Sequence, residues 1–277
     1  MTRNINLSLC EFLDVGREQW VVQRSFPARL FVRLFGPLGM HTRIRNTRVL
    51  NNLRPLTSLK KATILDAGCG HAYAGFWLAR RYPGVHIDAI DADDSLIDAG
   101  RRIASHNGLS NISFARDDLT SEPRSQTYDL IISIDVLEHI VDDVAVLRSF
   151  RRALRPDGVL VLHVPRRHQE HKRLFRAFRA HTTPDHVRDE YTAPELAALM
   201  TRAHFSLESL AYGFGPCGEA AFELNNLFWT HPLWRIAAAL LTFPLALGLA
   251  FLDTRHDYPD GNSLILVARP IPVESPE

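Results

Sequence analysis

The run Asp66-Ala-Gly68-Cys-Gly70-His-Ala72 combines a carboxylate with two glycines where an apolar stretch, Thr63-Ile-Leu-Asp66, gives way to a helix-forming one. In an open α/β sheet that is the position at which ligands bind. Glycine lets the backbone approach a ligand closely and adopt dihedrals closed to other residues. The pattern is not a dinucleotide site, because Tyr73 stands where G-x-G-x-x-G needs its third glycine. An Asp at a strand tip also repels pyrophosphate. It suits a ligand that carries positive charge.

The elements that must position this carboxylate follow from apolar periodicity and turn residues. Short apolar runs at Thr63–Asp66, Val85–Asp91, Asn111–Ala115, Tyr128–Ile134, Val159–Val164, Phe205–Phe214 and Ser263–Ala268 read as strands. Helices are expected over Ala72–Tyr82, Ser95–His106 and Asp142–Leu154, closed by Pro83-Gly84, Asn107-Gly108 and Pro156-Asp157-Gly158, with another opened by Thr192-Ala-Pro-Glu195. Tyr128–Ile134 is apolar on both faces, as a central parallel strand should be. The alternation implies an α/β fold with a doubly wound, mostly parallel seven-stranded sheet and helices on both faces.

The stretch ILDAGCGHA resembles motif I of the class I S-adenosylmethionine-dependent methyltransferases, and later signals follow in that family's order. The similarity runs through YDLIISIDVLEHI (128–140) and LRPDGVLVLHVP (154–165), covering about residues 62–165, with Ala72 in place of the family's usual third glycine. It implies a Rossmann-like domain over 62–269 and S-adenosyl-L-methionine as cofactor, bound by Asp66, Gly68, Gly70, Asp91, Asp118 and Asp135. Asp91 is expected on the ribose hydroxyls, and Asp118, with Asp117 second, at the adenine amino group. His139, beside the methyl group in this architecture, is expected as general base or orienting residue, with His186 joining it in catalysis. An alternative set, Asp135, Glu138, His139 and His186, resembles the hard-cation ligands of metal-dependent O-methyltransferases, with Asp135 standing where those carry Glu.

Three segments fall outside this core: 1–61, 166–191 and 215–261, followed by a tail over 270–277. Residues 1–61 hold 11 Lys and Arg against 3 Asp and Glu, a local charge of +8 that leaves −7 for the remainder of a chain whose net charge is +1. Such an arm suits an anionic partner, a membrane surface or an anionic substrate, closes over the site as a helical lid through Phe26–Phe35 and the basic run His41–Arg48, or forms a solvated helix on its own acidic domain. The 166–191 insertion is basic and the 215–261 insertion apolar, and both are expected as lids over the site. Ile236–Leu252 has seventeen uncharged residues, about 25 Å as a helix, which is short of a bilayer core of about 30 Å.

Taken together, these features point to an enzyme that methylates a small, apolar or amphipathic acceptor, with oxygen favoured over carbon and nitrogen. Nucleic acid is argued against by the absence of an [N/D]-P-P-[Y/F] motif after the fourth strand. The alternatives are an RNA-modifying, metal-dependent O-methyltransferase and a non-catalytic, cofactor-binding or membrane-peripheral interaction protein. Peripheral membrane contact and a homodimer are left open. With 277 residues, 46% hydrophobic and 23% charged, the composition excludes a disordered chain or a polytopic membrane protein. Cys10, Cys69 and Cys217 form neither a disulfide framework nor a zinc site, and a cytoplasmic location is expected.

Overall fold

The computed structural model describes residues 6–53, 61–120, 127–167, 187, 188, 190–226 and 235–271. Its sheet holds β1 (Thr63–Ala67), β2 (His86–Asp91), β3 (Ile112–Arg116), β4 (Tyr128–Ile134), β5 (Leu154–Pro165), β6 (Phe205–Gly213) and β7 (Ser263–Pro270). The spatial order is β3-β2-β1-β4-β5-β7-β6. Strands β1 to β5 are parallel, and β7 runs antiparallel to both β5 and β6. The chain builds outward from β1 to β3 and then returns to β4 on the other side. The tips of β1 and β4 therefore flank the crevice where such sheets take ligands.

Alternation along the strands divides the core in two. Ile64, Ile87, Ile132, Val159 and Val161 face α4 (Tyr73–Arg81) and α5 (Asp94–His106) through Phe76, Leu78, Ile97 and Ile103. Leu65, Ile131, Leu160, Leu162 and Leu266 face α6 (Asp143–Ala153) and α7 (Ala193–Arg202) through Leu147, Phe150, Leu196 and Met200. A side-chain period of two sends neighbours to opposite faces. The turn expected at Pro156-Asp157-Gly158 is absorbed within β5, whose register on β4 jumps from Tyr128↔Leu154 to Leu130↔Val159.

The N-terminal segment is a solvated arm only in part. It forms α1 (Leu9–Asp14), α2 (Phe26–Phe35) and α3 (Met40–Leu53), and α3 is buried along most of its length. Arg43 is fully buried, and its guanidinium donates to the carbonyls of Phe12, Phe35 and Pro37. Burial pushes its pKa down to about 10, which still leaves it charged at neutral pH. Arg48 donates to the carbonyls of Asp253 and His256 at the end of the helix that closes on Asp253, and pairs with the Asp253 carboxylate at 3.4 Å. Two of the arm's positive charges are thus spent inside the molecule, on backbone carbonyls and on Asp253, rather than offered to a partner.

The apolar insertion supplies α8 (Pro216–Asn226) and α9 (Arg235–Asp253). Phe243, Ala246 and Ala250 of α9 pack with Phe12, Met40, Ile44, Phe214 and Ala221 in a third apolar cluster. This cluster joins the two ends of the chain. Among the described residues no helix is long and apolar enough to cross a membrane.

Replacing Arg43 with Ala should strand three carbonyls and open a cavity, lowering stability by about 3–5 kcal/mol. Urea denaturation of R43A measures this; a loss below about 1 kcal/mol would mean that the helices do not depend on it.

Candidate cofactor and acceptor site

One cavity of about 440 Å³ opens at the tips of β1, β2, β3 and β4. Asp66, Gly68, Gly70, Asp91, Asp118, Asp135 and His139, all singled out in the sequence, line it. His186 and most of the basic insertion, 168–186 and 189, lie outside the described residues. No described residue of 215–261 lines the cavity; α3 lines it instead, through Arg45 and Asn46.

The loop after β1 takes its shape from positive-φ glycines and from main-chain anchors. Gly68 has φ +68, and a Cβ there would come within 2.5 Å of the Val136 side chain. Gly70 has φ +52 and open space where a Cβ would stand, so its backbone faces the cavity bare. The Cys69 amide donates to the Ile90 carbonyl at 2.8 Å. The Gly70 amide donates to Asp91 Oδ2 at 2.8 Å, while Asp91 Oδ1 accepts from the Asp93 amide at 3.0 Å. Ala72, at φ +51, begins α4 in the conformation that the missing glycine would have favoured.

Asp66 is 4% exposed, and its Oδ2 has no hydrogen-bond partner. Burial pushes its pKa from 3.8 up to about 7, the Gly75 amide opposes this, and nearby Asp91 adds to the rise. Asp118 accepts from the amide and hydroxyl of Thr120 at 2.9 and 2.8 Å, and these bonds hold its pKa below the ordinary value. With Asp117, four carboxylates line the β1–β3 side.

The β4 side is different. Asp135, in the left-handed region at φ +53, has both carboxylate oxygens engaged. Oδ1 accepts from His163 Nδ1 at 2.5 Å, Oδ2 accepts from Arg45, and the Asp135 amide donates to the His163 carbonyl at 3.0 Å. Burial pushes the Asp135 pKa up, but His163 and Arg45 outweigh it and the net shift is well down. Asp135 therefore carries a charge already matched within the protein. His139, Asn46, His71 and Tyr73 complete the polar lining, with Leu119, Ile134, Val136 and Ile140 as the apolar part. Glu138 is buried outside this lining; burial first, and then the Asp135 charge, push its pKa well up. Among the described residues no group of three His, Cys, Asp or Glu side chains could hold a metal.

Arg45, Asn46 and His163 were missed in the sequence. His163 had a signal: it is the lone polar residue in the run VLVLHV. Arg45 had none, because nothing local ties it to a strand tip lying 90 residues away.

The residues fit a cationic nucleoside better than a dinucleotide. A buried carboxylate with a free oxygen can face a positive group, and four carboxylates repel a pyrophosphate. Fold and site together define the class I S-adenosylmethionine-dependent methyltransferases. Residues 58–204 match the family model described as a methyltransferase domain, and the chain belongs to that family.

Over 103 residues the chain is 31% identical to the ubiquinone biosynthesis O-methyltransferase of Actinobacillus pleuropneumoniae, covering 35% of this chain and 43% of that protein. It is 32% identical over 98 residues to the malonyl-[acyl-carrier protein] O-methyltransferase of Bacillus anthracis, covering 35% of each. The chain thus spans less than half the length of these relatives. Among solved structures, an S-adenosylmethionine-dependent methyltransferase from Mesorhizobium loti superposes with a TM-score of 0.54 at 18% identity, covering 82% of this chain and 99% of that one. Coclaurine N-methyltransferase, bound to N-methylheliamine and SAH, superposes with a TM-score of 0.54 at 17% identity, covering 80% of this chain and 69% of that one. At such identities the likeness is one of fold.

A carboxyl whose folded pKa exceeds its unfolded one lowers stability as pH rises between the two values. For Asp66 the window runs from 3.8 to about 7. Asp66→Asn should therefore stabilise the ligand-free protein at pH 8 by up to about 4 kcal/mol, but hardly at pH 4, while weakening S-adenosylmethionine binding at least about tenfold. Thermal denaturation at both pH values, with calorimetry, reads this; an equal shift in Tm at the two would refute the assigned titration.

Proposed function

We propose that this protein transfers a methyl group from S-adenosyl-L-methionine to an oxygen of a small, apolar or amphipathic acceptor. The observation that carries this reading is the split lining of the cavity: four carboxylates on one side, and His139 among apolar residues with Arg45 on the other. The O-methyltransferase names of the relatives support oxygen as the acceptor atom. The bound cofactor supplies an electrophilic methyl group on a positively charged sulfur.

The chain's own residues would do the rest. Asp91, already oriented by the Gly70 and Asp93 amides, accepts from the ribose hydroxyls. Asp118, fixed by Thr120, accepts from the adenine amino group. Asp66 faces positive charge. Asp135 acts in the first place as an anchor for Arg45 and His163, and through them sets the β4 wall. Leu119, Ile134, Val136 and Ile140 exclude water and pack on an apolar acceptor. His139 takes the proton of the acceptor hydroxyl as the new bond forms, a role open to an imidazole standing in the cavity wall. Holding nucleophile and methyl in line accounts for much of the remaining barrier.

The test is methyl transfer from labelled S-adenosylmethionine to a panel of phenols, quinols, carboxylic acids and amines. His139→Asn should lower turnover by about 10²-fold or more and leave cofactor affinity nearly unchanged. Asp91→Ala should weaken cofactor binding by about tenfold or more through the loss of charge-assisted hydrogen bonds. Full turnover in the His139 variant would remove the proton-transfer role, and transfer to amines alone would refute the oxygen assignment.

A further inference from the structure

Twelve large apolar side chains stand exposed among the described residues, and eight of them lie on α2, the turn after it and α9. They are ordered. Phe26, Leu30 and Leu34 recur every four residues and so share one face of α2. Leu241, Leu245 and Leu252 share one face of α9, with exposed Gly248 between them. Phe26 is 77% and Leu241 82% exposed, so among the described residues little packs over either. The two helices adjoin, because Phe31 of α2 stacks edge-on against Phe243 of α9 with ring centroids 5.0 Å apart. The inner faces are satisfied by each other and the outer faces are left bare.

Charge identifies what would cover them. Arg29 and Arg33 line one edge of the apolar stripe on α2, and Arg24 precedes it; all three are exposed. Among the described residues none of them pairs with a carboxylate: Arg29 donates to the Gln23 carbonyl and Arg33 lies over the Trp20 ring. An apolar stripe edged by unpaired arginines is the pattern of a helix that lies in a bilayer interface, its apolar side chains in the acyl region and its cations at the headgroups. A two-fold contact with a second copy would bring the same patch, arginines included, against itself.

We propose that the paired outer faces of α2 and α9 dock this protein on an anionic lipid surface. The interaction is peripheral: the apolar side chains enter and the helices lie flat. It requires neither the acceptor assignment nor the role given to His139. It would bring the mouth of the site close to a membrane, since α3, which follows α2 directly, carries Arg45 and Asn46 into the cavity wall.

The experiment is co-sedimentation of the full chain with large unilamellar vesicles of phosphatidylcholine alone or with about 30 mol% phosphatidylglycerol. The anionic vesicles should bind at least about tenfold more tightly, and the double variant Arg29→Glu, Arg33→Glu should abolish that difference. Leu241→Ser with Leu245→Ser should weaken binding to the anionic vesicles by about tenfold or more. None of the four side chains lines the cavity, and Arg29 and Arg33 make only surface contacts with Gln23 and Trp20, so the variants should keep the parental S-adenosylmethionine affinity and a cooperative unfolding transition within a few degrees of the parent, which serve as controls for folding. A protein that stays in the supernatant, or that binds both vesicle types equally, overturns the proposal. So does a dimer, seen by analytical ultracentrifugation, that the Leu241 and Leu245 substitutions dissociate.

Discussion

The architecture of the site turns on a carboxylate kept out of water without a full set of partners. Asp66 is enclosed at the tip of β1 with one oxygen unbonded and a pKa pushed up to about 7. A buried ion left in this state is costly, and folding tolerates it where a ligand of opposite charge completes it. The surrounding parts are arranged around that carboxylate. Gly75, where a Cβ would come within 2.8 Å of Asp66 Oδ2, lets α4 close against it, and Asp91 ties the preceding glycine loop to the tip of β2. The reversal of strand order at β1 leaves the crevice open in front.

A second constraint operates across the crevice. Asp135 joins α3 to β5 through Arg45 and His163, and it does so from a left-handed backbone conformation that a non-glycine residue adopts at a cost. This junction makes the N-terminal helices part of the cavity wall. Arg43 and Arg48 extend the same principle outward, each satisfying main-chain carbonyls of neighbouring segments. The positive charge of the arm serves first to assemble the molecule, and its exposed remainder on α2 is available for an external surface.

What could be read from the sequence was what is local. β4 runs from Tyr128 to Ile134 as the apolar run alone implied, and the strand-tip residues Asp66, Asp91, Asp118, Asp135 and His139 meet in one cavity because parallel strands bring their ends together. Non-local pairings were not legible. Pro156-Asp157-Gly158 carries every sign of a turn, yet pairing with β4 on either side makes it an irregularity within β5. The apolar residues of α9 looked like a lid, because sequence shows hydrophobicity but not the face that receives it. Much of that surface is received by α3 and α8. The alternation of polar and apolar residues along α3 gave no hint that its arginines turn inward.

The central claim, that the β1 tip holds positive charge, is tested most directly by counting protons. Calorimetric titration of the unmodified protein with S-adenosylmethionine at pH 7, in buffers of different ionisation enthalpy, reads proton release on binding. If ligand cation and Asp66 meet, binding must draw the raised carboxyl to its charged form and release a fraction of a proton per cofactor. Tight binding without proton release, or a preference for a nicotinamide dinucleotide, would contradict the account.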